Sequence, residues 1–79
     1  MNRETLIELI VDYAIAHLKY DDANPDVGMG MGTDTAYKLA CQDVISEAIR
    51  WGGSLSITDF QNIKYIKDEC IERIRQRRR

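Results

Sequence analysis

One histidine, two cysteines and a single proline are all that the 79 residues provide of those types. With His17 the only imidazole, serine and cysteine nucleophile systems would both have to be built on it, and it falls on an apolar helical face. Acidic residues are plentiful but lie on solvent faces, where pairs of carboxyls with divergent pKa values do not arise. Catalysis is not expected. Cys41 and Cys70 form no Cys-x-x-Cys pair, which argues against a metal knuckle, and in a chain read as cytoplasmic they are free thiols rather than a disulfide. No apolar run nears the ~20 residues that cross a bilayer. A positive segment leading into an apolar stretch and a small-residue cleavage site is also missing. The expectation is a cytoplasmic protein with no membrane contact and no cofactor. No internal repeat is visible.

What the chain does have is a conflict of charge. Residues 1–59 hold four basic and ten acidic side chains, whereas residues 60–79 hold seven basic and three acidic. Five arginines, Arg73, Arg75, Arg77, Arg78 and Arg79, fall in the last seven positions. An acidic body with one cationic end can bind an anionic partner locally, or an acidic face of its own kind. Hydrophobic content of 44% is ordinary and excludes a wholly disordered chain. At this length the chain is one domain, 1–79, close to the size at which a single core is marginal.

Apolar spacing predicts an all-α fold of three helices, over about 3–19, 34–51 and 57–75, packed as an antiparallel bundle. A Gly/Asp-rich loop, 20–33, joins the first two, and an arginine-rich tail, 75–79, closes the chain. In the first helix Asn2 can cap, and Leu6, Ile10, Tyr13 and His17 form a row flanked by Ile7, Ala14 and Leu18. Leu9, Val11, Ile15 and Ala16 widen that face, so that Ile15 intrudes on the polar arc of Glu4, Thr5, Glu8, Asp12 and Lys19. Such an arc is about twice the usual width. Two short companions are not expected to cover it, which predicts self-association through this helix.

The second helix turns Tyr37, Ala40, Cys41, Val44, Ile45, Ala48 and Trp51 inward. Its small residues allow a neighbour to approach closely, while Leu39 points away. Gly52 and Gly53 end it. In the third, Ser56 can cap with Asp59 at the third position, and Leu55 can staple onto Phe60. Phe60, Ile63, Ile66, Cys70, Ile71 and Ile74 face inward, and Glu69 to Arg73 is a favourable i,i+4 pair.

Four constellations invite a sharper reading. Gly28-Met29-Gly30-Met31-Gly32 precedes a helix, but no strand leads into it and it matches neither phosphate-loop pattern; Asp34 would also oppose a phosphate. A flexible loop is the favoured reading, with Met29 and Met31 as adaptable contacts for a partner. Asp22-x-Asn24-x-Asp26 is spaced like the start of a calcium loop. However, Val27 and Thr33 stand where that loop needs glycine and glutamate, and an Asx-rich turn is favoured. His17, Cys41 and Cys70 fall ~20, ~15 and ~20 Å up their helices, so they could converge. Without a fourth ligand, a core histidine beside two buried thiols is favoured over zinc. Ala48 and Gly52 have helix-turn-helix spacing, but the turn is too long and the outward face of the last helix carries Asp68 and Glu69.

Glu4, Glu8 and Asp12 recur every four residues and stack like charges along one ridge. The arginine tail of a second chain can dock there, and so can a nucleic-acid-binding protein whose cationic groove the ridge occupies. The expected function is a non-enzymatic protein-binding module that regulates or inhibits a larger partner. Its contact residues would be Glu4, Glu8, Asp12, Ile15, Leu39, Met29 and Met31, and the five arginines would supply an anion-binding end. The alternative is a small DNA-binding regulator that uses the 57–75 helix and the tail. In size and charge the chain resembles accessory proteins of phages and mobile elements, some of which disable host nucleic-acid-binding machinery.

Overall fold

The computed structural model describes residues 3–23, 32–50 and 57–78, with side chains left aside for 57–60. Four helices account for them: α1 (Arg3–Ala23), α2 (Thr33–Arg50), α3 (Ile57–Tyr65) and α4 (Lys67–Arg77). The fold is all-α, and no strand occurs among the described residues.

The first helix continues one turn beyond the expected limit, through Tyr20, Asp21 and Asp22 to Ala23. The second begins as expected. The Gly32 carbonyl accepts the first turn's bond from the Ala36 amide at 3.0 Å, and Asp34 sits in the first turn, where the helix dipole favours an acid. The expected 57–75 helix is two helices. It bends at Ile66, whose backbone rests at φ −99° and ψ 2°, and α4 then continues past 75 to Arg77. Bonds from Ile66 N to Asn62 O (3.1 Å) and from Cys70 N to Ile66 O (2.9 Å) carry the ladder across the bend. Ile66 is 1% exposed. It lies inward, as its place in the apolar stripe predicts.

Paired side chains give the topology. Tyr13 meets Glu47 and His17 meets Asp43, so four steps up α1 match four steps down α2. Arg73 reaches Glu4 and Glu8, and Arg77 reaches Glu8 and Asp12, so α4 runs parallel to α1. The order is up, down and up, as the bundle prediction requires.

Between these helices lies one core. Leu6, Ile7, Ile10, Val11, Ala14 and Leu18 of α1 meet Ala36, Tyr37, Ala40, Cys41 and Val44 of α2, with Ile66, Cys70, Ile71 and Ile74 from the α3–α4 side. Each large aliphatic side chain enclosed here contributes about 1.5–3 kcal/mol. Ala40, Cys41 and Ala48, the small residues expected to admit a close neighbour, are all buried, as is Ala36. Leu9, Tyr13, Ile15 and Ile63 pack against this core half-buried.

The wide apolar arc of α1 is thus largely enclosed by its own chain. The stripe is centred between α2 and α4, and Tyr13 and His17, expected at its middle, stand on the α2 margin. Ala16 alone of the apolar arc is exposed.

Candidate interaction surfaces

The acidic ridge and the arginines find each other within one chain. Glu4, Glu8 and Asp12 line the margin of α1 that faces α4. Arg73 engages Glu4 as a fork, Nη1 to Oε1 at 2.5 Å and Nη2 to Oε2 at 3.1 Å. It also donates to Glu8 at 2.7 Å and to Glu69 at 3.1 Å. Arg77 bridges Glu8 and Asp12, the latter at 2.8 Å, and Arg78 reaches Asp22 at 2.9 Å. Planar guanidinium groups suit such multidentate contacts. The hydrogen bond from Arg73 holds the Glu4 carboxyl below its usual 4.5, and in return the carboxylates raise Arg73 and Arg77, led by Glu4 and Glu8 respectively. The like charges that repel along α1 are neutralised from α4.

Three of the five arginines expected to form an anion-binding end are therefore held by this chain's own carboxylates. Arg75 is exposed on α4 and has no ion pair among the described residues; Arg79 lies outside them. Of the expected partner contacts, Ile15 is half-buried and lines a shallow cleft with Asp12, Lys19 and Arg77. Leu39 is also half-buried, not fully exposed. Met29 and Met31 fall outside the described residues, as do Asn24 and Asp26 of the calcium-like spacing and the caps proposed at Asn2 and Ser56.

His17, Cys41 and Cys70 do not converge. The histidine is one-third exposed and its Nε2 lies 2.5 Å from Asp43 Oδ2. The thiols are buried near each other instead. Burial, with the neighbouring Cys41, pushes the Cys70 thiol up to about 12. Burial also raises Cys41, partly offset by a hydrogen bond with Tyr37. Glu47, hydrogen-bonded to the Tyr13 hydroxyl, pushes that phenol up to about 12. Among the described residues no group of three His, Cys, Asp or Glu side chains is placed to hold a metal ion, and no buried side-chain nitrogen or oxygen lacks a partner.

A feature missed by sequence reasoning lies on the opposite side of α4. Tyr37 and Cys41 of α2 and Ile63 of α3 floor an open groove of about 420 Å³, and Lys38, Lys64 and Lys67 stand around it. Three of the four lysines in the chain gather here. All three are exposed, and none has an ion pair with another described residue. The Tyr37 hydroxyl donates to the Ile63 carbonyl at 2.8 Å, tying α2 to α3 beneath the groove. Lys64 and Lys67, three residues apart, hinted at this cluster; Lys38 joins it only through packing between helices. Tyr65, next to the groove in sequence, is 80% exposed.

No protein-family model, no curated protein and no solved structure matches the chain.

Proposed function

We propose that the protein is a non-enzymatic protein-binding module that regulates or inhibits a larger partner by occupying part of its surface. One observation carries this reading: an open apolar groove bordered by lysines that have no carboxylate partner among the described residues. Apolar surface framed by unpaired charge is the composition of a recognition patch, in which the apolar centre supplies affinity and the charged rim orientation. The exposed Ile49 and Tyr65 add apolar surface to α2 and α3.

A DNA-binding role draws less support. Its cationic tail is largely committed, since Arg73, Arg77 and Arg78 neutralise carboxylates rather than stand free for phosphates.

The test is capture from the native host with the full chain as bait, followed by reconstitution with the purified candidate. The reading requires a stoichiometric complex in sedimentation velocity that Ile63→Glu weakens while circular dichroism stays helical. If no purified protein forms such a complex, the module reading is abandoned.

A further inference from the structure

We propose that the groove between α2 and α3–α4 receives an acidic amphipathic helix of the partner. Its apolar side chains would sit on Tyr37, Cys41 and Ile63, and its carboxylates against Lys38, Lys64 and Lys67. This inference rests on the protein-binding reading and names the chemistry of the partner.

The shape of the site comes first. About 420 Å³ is within the ~300–1,000 Å³ range of ligand sites. This one, however, is open along the seam of two helices rather than enclosed. An enclosed pocket suits a small molecule; an open apolar seam suits the stripe of a third helix, with anchors at i, i+3, i+4 and i+7. Polarity points the same way. The one hydroxyl in the floor is already donated to a backbone carbonyl, so the floor offers chiefly dispersion and apolar burial, and the exposed Gln42, which also lines the groove, is its one side-chain amide.

Charge then selects among helices. Three ammonium groups around one apolar strip, within a chain of net charge −2, attract carboxylates at short range and repel a basic helix. A second copy has fewer carboxylates to spare than the chain's composition suggests. Glu4, Glu8, Asp12, Asp22, Asp43 and Glu69 are each engaged within their own chain. The exposed Asp34, Asp68 and Glu72, which have no ion pair among the described residues, are the acids a second copy could offer, and the oligomeric state of the chain alone decides that case. Nucleic acid is disfavoured by the apolar floor and by the net negative charge, since binding to phosphates begins from a broad basic face.

The experiment uses the full chain and a fluorescent peptide of about 18 residues, long enough to form a helix, with leucines at helical spacing and glutamates elsewhere. Anisotropy is expected to show saturable binding that weakens with added salt. The combined Lys38→Glu, Lys64→Glu and Lys67→Glu variant should lose about tenfold or more in affinity. A milder variant with glutamine at the same positions should fall between, which guards against misfolding of the first. The same peptide with lysine in place of glutamate should not bind. Three outcomes overturn the inference: equal binding of both peptides, unchanged binding by the lysine variants, or a preference for a short DNA duplex. A dimer of the chain alone that the charge reversal dissolves would assign the groove to a second copy and overturn it as well. A captured host partner whose binding ignores the lysine variants would sink this inference and leave the module reading standing. Failure to find any partner protein would remove both.

Discussion

Arg73 concentrates more of the molecule's electrostatics than any other described side chain. It contacts Glu4, Glu8 and Glu69 while remaining 23% exposed, so the network is wetted and screened by salt. Arg73→Gln should lower the urea midpoint at low ionic strength, and the difference from wild type should shrink in high salt. Acid should act on the same group. Because the Glu4 carboxyl is held below 4.5 in the fold, its contribution is present above that value and is lost as pH falls through the lowered one. Cys70 behaves in the opposite sense. Its thiol is kept neutral, with the folded value pushed from 9.0 to about 12, so stability is full below pH 9.0 and declines as pH rises toward 12. Urea melts across that alkaline range should show the decline in wild type and a smaller one in Cys70→Ala. An equal decline in both would assign the effect elsewhere, with Tyr13 and Tyr37 next in line. Much at this scale was legible in the sequence. Opposite charges at Glu4, Glu8, Asp12 and in the tail announced a docking, but charge pattern alone does not say whether it closes within one chain or between two. That is decided by α4 running parallel to α1 at matching register.

Among the elements, α2 was read almost completely. Alternation at 3.6 residues placed Tyr37, Ala40, Cys41, Val44 and Ala48 inward, and all are buried; Ile45, also expected inward, is half-buried, and Trp51 lies outside the described residues. The bend at Ile66 was not legible, because neither proline nor glycine marks it. Position 66 is also an N-cap without a capping side chain, which sets two effects against each other. Ile66→Asn would gain about 1 kcal/mol from a cap and lose about 2–5 kcal/mol from an emptied core position. Burial wins, and the variant should be less stable by about 1–4 kcal/mol in chemical denaturation. A stabilised variant would mean that the cap outweighs the core contact at this position. The extension of α1 to Ala23 was hidden for another reason. Asp21 and Asp22 have loop composition, yet they continue the helix, and Arg78 pairs with Asp22.

For the molecule as a whole, length and composition predicted one small helical core, and the described residues provide it. The expectation that α1 needs outside cover lost its geometric basis once α2 and α4 were seen to flank it, with half-buried Leu9, Tyr13 and Ile15 closing the margins. The lysine groove could not be foreseen, since it forms only where Lys38 of one helix comes alongside Lys64 and Lys67 of two others. Protection should be uneven across such a body. Amides of α1 and α2, joined along an alanine-lined contact, should exchange slowest with deuterium, and those of α3 much faster. Uniform exchange rates would contradict that ranking.

The nine-residue α3 contributes only the half-buried Ile63 to the core among its described side chains. The banks of the channel are latched to each other at that residue, where the Tyr37 hydroxyl meets the Ile63 carbonyl. A berth framed this way asks only for a greasy stripe and negative flanks, so guests of unlike sequence share one mooring.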